Sequence, residues 1–514
     1  MPKSRPQPQP QPLHLGLAED LIARIDRGEW AEGQRLPSVR ELASAFSMST
    51  FTVSRAIRQL TSAGRVQTIQ GKGTFVIPAR ADRALTPFGD DDRNGHLPVD
   101  LSWQNALLRK PASTRASQIV QPLIRSSQLS SDMIVLASGG ETSDVLPAHS
   151  LQAAWKGLLG DVKSEMIGGW AAEGELQTRE WIVQYLTGMG IATTPDNVIV
   201  TSGGQQALSL VAQTLLEPDD TVLVERPMYL FALSILDSLG VRCIDVAVDE
   251  DGTWIDAAED LIERFHPKLV LTVPTGQVPT GITMPTNRRK QLLAAARKHG
   301  IIILEDDHAS EMTYEGTAPP AIKSFDTHGH VIYAKSFSKI TLPALRIGAI
   351  VAEGLILDAL KHAKLISDRY TSTIIQSAFL AYVNRTSFAR DLQRYRTIYG
   401  ERRDAMLDAL QREMPDGVTW THPAAGFHLW LTMPPGISAQ EVAVRAAANG
   451  VLVARGGAFF AQGDPDTGVR LTFTSNDPER IRLGIQRLAR AVEDAMRGGR
   501  GHDTLPRLSD LGLT

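Results

Sequence analysis

Apolar residues recur every third or fourth position early in the chain and give way later to short apolar runs. Leu17, Leu21 and Ile25 are four apart, which places them on one face of a helix over 14–27. A second helix is predicted at "PSVRELASAF", with Ser38 as its cap behind Pro37. "SMST" makes a turn, and Val53, Ile57 and Leu60, spaced four and three, mark a third helix ended by Gly64. "RVQTIQGKGTFVI" reads as two short strands about a Gly-Lys-Gly tip. Three helices followed by a basic hairpin predict a winged helix-turn-helix over 13–78.

From 79 to 132 the periodicity fades. "TPFGDDDRNGHLP" has the composition of a linker, although "LSWQNALLRK" could form a short helix or arm. From Met133 to 498 the pattern changes. "NVIVTS", "TVLVE", "KLVLTVP", "IIILEDD" and "VIYAKS" alternate with helical stretches such as "NRRKQLLAAARKHG". This alternation predicts an α/β domain, a mostly parallel sheet with helices on both faces. After about Thr386, helices and the strands "GFHLWLTMP" and "GVRLTFTSND" predict a smaller C-terminal α+β subdomain. Residues 1–12 and 499–514 read as tails, and "MPKSRPQPQPQP" lacks the apolar core of a signal peptide.

Composition narrows the function classes. The 514 residues exceed one ordinary domain, and the 43% hydrophobic content can fill a large core. A single cysteine, Cys243, excludes a disulfide framework and argues against a zinc cluster. No apolar run approaches the roughly 20 residues of a membrane span. The expectation is a cytoplasmic protein with no membrane partner. The net charge of −4 is unevenly divided. Residues 1–80 hold 11 Lys+Arg against 6 Asp+Glu, a balance of +5, which leaves −9 for the rest. A basic module on an acidic body suits nucleic-acid binding.

In a helix-turn-helix the second helix of the pair enters the major groove. Ser49, Thr50, Thr52 and Arg55 fall at its exposed start, and Arg40 could reach a phosphate. Lys72 at the wing tip could reach the minor groove or backbone, with Gly71 and Gly73 allowing the tight turn. The stretch Leu17–Val76 resembles the GntR-type winged helix. "LPSVREL", "TVSRAIRQL" and "GKGTFV" match its three segments in order. Ser49-Thr50-Phe51 departs from the Ser-Arg-Thr or Ser-Arg-Asn of that family, which removes an arginine suited to guanine or phosphate. A winged helix used for protein contacts is the alternative.

In the large domain single motifs are weak. "VTSGGQQAL" places glycines between a strand and a helix predicted from about Gln206, where amides can hold a phosphate. Asp306, at the end of a predicted strand, needs a cationic partner if buried; a metal pair with Asp307 or a helix cap are the alternatives. Lys339 could form a Schiff base or lie on the surface. Their order changes the picture. The glycine cup, Tyr229 in "ERPMYLF", Asp306, Ser-x-Ser-Lys and Arg346 in "YAKSFSKITLPALRIG" together resemble a class I aminotransferase, pyridoxal phosphate (PLP) fold type I, over roughly 134–496.

The resemblance implies PLP as cofactor and no metal. Lys339 would form the Schiff base and Asp306 pair with the pyridine nitrogen. Tyr229 would stack on the ring, and Gly204, Gln205, Ser336 and Arg346 would hold the phosphate. Arg470 would clamp a carboxylate of the effector. Val278 stands where that family has an asparagine bound to the ring oxygen, and His308 where the regulator group has a tyrosine; His308 could donate to that oxygen instead. A GntR-type winged helix joined to such a domain resembles the MocR (GabR-like) regulators. This implies a PLP-dependent transcriptional regulator that senses an amino compound or PLP. Its partners would be double-stranded DNA with two half-sites and a second copy, in a head-to-tail homodimer. The alternatives are a working aminotransferase with an accessory DNA-binding domain, and a regulator whose large domain is only a dimerisation scaffold.

Overall fold

The computed structural model describes residues 13–27, 29–30, 34–62, 65–69, 73–76, 132–138, 145, 152, 155–156, 171–463 and 465–498. The chain divides into two compact units, 1–106 and 107–514. The expected helix or arm at "LSWQNALLRK", the wing tip with Gly71 and Lys72, and both tails lie outside the described residues.

In the first unit the helices are α1 (Leu13–Asp26), α2 (Val39–Ala45) and α3 (Thr50–Ser62), followed by β1 (Val66–Ile69) and β2 (Gly73–Val76). Leu17, Leu21 and Ile25 of α1, Leu42 of α2 and Val53, Ile57 and Leu60 of α3 are buried in one core with Val66 and Val76. Ser38 caps α2 in a reciprocal box: its hydroxyl accepts from the Glu41 amide, and Glu41 accepts from the Ser38 amide at 2.7 Å. A further strand segment escaped the sequence reading. Leu36 N donates to Thr74 O and Val76 N to Gln34 O, so residues 34–36 add an edge to the hairpin.

The second unit is built on an eight-stranded sheet of order β4–β11–β10–β9–β8–β5–β6–β7. Its strands are β4 (Val198–Thr201), β5 (Thr221–Arg226), β6 (Arg242–Asp249), β7 (Gly252–Thr253), β8 (Leu269–Thr272), β9 (Ile302–Asp307), β10 (Val331–Ser336) and β11 (Gly348–Val351). β6, β5, β8, β9 and β10 run parallel, while β11 is antiparallel to both neighbours. Apolar runs arise because both faces are covered. Leu269, Leu271, Leu304 and Ile332 face one helical layer, and Val270, Ile303 and Val331 face the other.

The covering helices include α4 (Leu176–Gly188), α5 (Gly204–Leu215), α6 (Leu230–Leu239), α7 (Ile255–Phe265), α8 (Thr286–His299) and α9 (Gly354–Ser367). α5 starts two residues before the expected Gln206. Gly203, at φ +87°, takes the cap position, which a residue with a side chain resists.

The C-terminal part carries α10 (Thr373–Val383), α11 (Phe388–Glu413), α12 (Ala439–Ala448) and α13 (Pro478–Gly498). Its antiparallel sheet contains β12 (Thr419–Trp420), β13 (His428–Thr432), β16 (Gly468–Thr472) and β15 (Ala454–Arg455), in that order. β3 (Ile134–Val135), early in the chain, pairs in parallel with β14 (Val451–Leu452). Among the described residues no helix is long and apolar enough to cross a membrane.

Candidate cofactor site and nucleic-acid interface

Parallel strands leave their C-terminal ends at one edge of the sheet, and loops there can meet around a ligand. A cavity of about 380 Å³ lies at that edge. Gly204 and Gln205 follow β4, Tyr229 follows β5, and Val278 follows β8. Asp306 and His308 come from the end of β9; Ser336, Lys339 and Arg346 come from the end of β10 and its turn. Arg470 arrives from β16. The structure therefore brings together all eight residues expected around a cofactor, and Arg470 with them.

The glycines form a cradle. A Cβ on Gly203 would lie 2.7 Å from Arg346 Nη2, and one on Gly204 would lie 3.1 Å from Ser336 Cβ. Arg346 sits in the left-handed region at φ 49° and donates to Ser338 Oγ at 3.3 Å. Backbone amides at the start of α5, two serines and a guanidinium thus converge where only glycine fits. This donor set suits an anion.

Asp306 is buried, and burial, reinforced by the charge of Asp307, pushes its carboxyl up to about 7. Asp307 does not join it as a metal pair. It accepts from Lys335 Nζ at 3.1 Å, from Ser310 Oγ at 2.8 Å and from Tyr333 Oη at 2.5 Å. Lys335 also meets Glu311 at 2.8 Å, and Tyr185 Oη donates to Glu311 at 2.6 Å. Burial works against the Lys335 charge, but Asp307 and Glu311 outweigh it and hold the ammonium above the ordinary lysine value. Lys335 is thus tied up behind the sheet, whereas Lys339 lines the cavity, 5.6 Å from the Phe427 ring centre.

His308 Nε2 is buried without a hydrogen-bond partner, and burial pushes the imidazole down to about 4, so it is neutral near pH 7. Val278 is buried and offers no hydrogen bond. Its loop is held from below by Glu225, which accepts from Thr272 Oγ1 at 2.5 Å, Thr253 Oγ1 at 3.0 Å and Gln277 Nε2 at 3.2 Å. Gln277 in turn accepts from Thr280 N at 3.0 Å.

Arg470 is fully enclosed. Burial pushes its guanidinium down to about 10, which leaves it charged at neutral pH. It stacks 5.0 Å from the Phe459 ring centre, donates from Nη2 to Ala137 O, and keeps Nε without a hydrogen-bond partner.

His428 was missed by the sequence reading. It lines the cavity beside Arg470, with Nδ1 2.9 Å from Thr472 Oγ1, and burial holds it neutral. The available signal was strand alternation in "GFHLWL", but it becomes useful only once β13 is known to pair with the strand of Arg470.

In the first unit Arg40, Ser49, Thr50 and Arg55 are exposed, and Thr52 is half-buried. Ser49 Oγ accepts from Thr52 N at 3.1 Å and lies 2.8 Å from Thr52 Oγ1. Ser49 therefore holds the start of α3 as well as facing outward. Gly71 and Lys72, proposed at the wing, lie outside the described residues.

Comparison with known proteins agrees with both halves. Residues 163–488 match the aminotransferase class I and II family, and residues 13–76 match the gntR family of bacterial regulatory proteins. Aromatic-amino-acid aminotransferase 1 of Thermococcus litoralis is 34% identical over 77% of this chain and 96% of its own length. YjiR, an uncharacterized HTH-type transcriptional regulator of Escherichia coli, is 30% identical over 93% of this chain and 98% of its own. The crystal structure of Pyrococcus horikoshii kynurenine aminotransferase superposes with a TM-score of 0.71 at 34% identity, covering 76% of this chain and 96% of that one.

Proposed function

The chain belongs to the class I and II aminotransferase family and carries a gntR-type DNA-binding domain ahead of it, the MocR-type regulator architecture, and we propose that it senses an amino compound through PLP held in the cavity. The observation that carries this reading is the meeting of Lys339, Asp306, His308, Gly204 and Arg346 in one cavity, with Gly203 packed against Arg346. Each fits a different part of the cofactor. The cradle matches the phosphate in charge and in the space that glycine leaves. Asp306, costly to ionise when buried alone, regains its charge opposite a protonated ring nitrogen. His308, a neutral ring in the cavity lining, would be the group to serve the ring oxygen that Val278 cannot. Lys339 is the amine for the cofactor's carbonyl, since Lys335 is bound to two carboxylates.

PLP, when bound, supplies a carbonyl that exchanges one amine for another and a ring that withdraws electrons. The chain's own residues do the rest. Arg470 draws in a carboxylate, or another anion such as a sulfonate, by a two-pronged hydrogen bond. Tyr229 and Phe231 wall the cavity, and Lys339 would hold the cofactor there until an effector amine took its place, which would change the local charge and packing. A difference in affinity between two arrangements of the protein is what allostery requires. A homodimer would place two recognition helices on two half-sites.

The test is the visible spectrum of the full chain with added PLP, before and after borohydride, with peptide mapping. Reduction should fix the cofactor on Lys339, and Lys339→Ala should lose the absorbance while still binding DNA. Fixation on another lysine, or none, would overturn the assignment. A second reading, a working aminotransferase, is favoured by the complete Lys339–Asp306–Arg470 set. Steady conversion of a keto acid at a rate useful to a cell would establish it.

A further inference from the structure

The glycine turn that offers its amides to an anion is, for the same reason, the least rigid part of the cavity wall. Glycine adopts many backbone conformations at little cost, so Gly203 and Gly204 do not fix the directions of their own N–H groups. Fixation comes from outside the cavity. Gln206, in the first turn of α5, does not line the cavity, yet its Oε1 accepts from Ser202 N at 2.6 Å. This is a capping bond that reaches one residue beyond Gly203 at the cap position, and it closes the turn over both glycines. From the strand side, Thr201 Oγ1 donates to Gly203 O at 3.1 Å.

Gln206 is itself held. Its Nε2 donates to Asp368 Oδ2 at 2.7 Å, just past the end of α9. Lys364, buried in α9, donates to the two Asp368 oxygens at 2.6 and 2.7 Å and to Thr371 Oγ1 at 3.0 Å. Thr371 Oγ1 in turn donates to Val200 O, in β4, at 3.0 Å. One buried ammonium therefore braces the turn from both sides, through Asp368 and Gln206 to Ser202 and through Thr371 to Val200. The Gln206 amide meets both of its neighbours in one orientation only, with its oxygen towards the Ser202 N–H and its NH2 towards the carboxylate.

We infer that Gln206, held by Asp368 and Lys364, is the positioning residue of the anion cradle: it aims the amides at the start of α5 at the cofactor phosphate without lining the cavity. This rests on the PLP reading above and deepens it, because part of the selection for a phosphorylated ligand then lies in residues outside the cavity.

The test titrates the full chain with PLP and with pyridoxal, which lacks the phosphate, and follows the absorbance of each. Gln206→Met keeps the length of the side chain and removes both hydrogen bonds. Its affinity for PLP should fall about tenfold, the scale of one hydrogen bond left unmade, while its affinity for pyridoxal stays within about twofold of the parent's. Asp368→Asn is the milder change, since one amide oxygen then serves two donors; PLP affinity should fall about threefold and pyridoxal affinity should again hold. Circular dichroism checks that each variant is folded. A variant that loses affinity for both ligands alike, or for neither, overturns the positioning role, and Asp368→Asn decides by the same comparison if Gln206→Met does not fold. If the parent binds neither ligand, or binds PLP no more tightly than pyridoxal, the cofactor reading itself falls and the inference with it.

Discussion

At the scale of single residues, the cavity is organised by groups that are costly to bury. Asp306 is the clearest. Its carboxyl is raised from 3.8 to about 7 by burial and by Asp307, so the folded apo-protein holds a proton that the unfolded chain releases. Stability contributed by this group falls as pH rises from about 4 to about 7, because the native state binds more protons there. Asp306→Asn removes that titration. The stability difference, variant minus parent, should grow across this window and reach roughly 4 kcal/mol above it, while PLP affinity falls. Denaturation of both apo-proteins at several pH values checks it; a difference constant with pH would show that Asp306 is not the burdened group. His308 acts in the other direction, as a neutral ring with an orphaned nitrogen. If His308 serves the cofactor's ring oxygen as proposed, His308→Phe should raise the midpoint of the pH titration of cofactor absorbance. An unchanged midpoint would place that nitrogen elsewhere.

At the scale of elements, the join between β4 and α5 decides whether an anion can be held. Gly203 takes a positive φ and packs against Arg346. Gly203→Ala adds a left-handed strain of about 1 kcal/mol and a contact that displaces the guanidinium. PLP affinity should fall at least tenfold with the fold retained, as read by fluorescence titration and circular dichroism. Parent-like affinity would mean that the phosphate is bound elsewhere. The glycine pair was visible in "VTSGGQQAL", but the start of α5 was placed two residues late, since the positive φ at Gly203 is a backbone fact without a sequence counterpart. The strands of the large sheet were legible as apolar runs because each faces helices on both sides. The edge at 34–36 was not, because Arg35 and Leu36 carry no alternation and are recruited by the hairpin.

At the scale of the whole molecule, a basic winged helix and an acidic domain of the aminotransferase family share one chain. Arg40 and Arg55 are exposed on the reading helix and its neighbour. Alanine at either position should weaken DNA binding and lower the slope of log affinity against log salt by about 1, one released counterion each. Titrations at several salt concentrations check this, and an unchanged slope removes that residue from the phosphate contacts.

Spacing and periodicity are local properties, and they were enough to indicate the fold class of each half and the winged helix; the Lys339, Asp306 and Arg346 set came from the resemblance to class I aminotransferases. What only the tertiary structure decided depends on distant segments meeting. Lys335 and Lys339 are four residues apart, and nothing in their spacing says which is held by carboxylates. The partners that decide it, Asp307 and Glu311, come from a neighbouring strand and loop. His428 enters the cavity because β13 pairs with β16, and Arg470 meets Ala137 across more than 300 residues of chain. Such contacts depend on which strands become neighbours, and the pattern within one strand does not encode that.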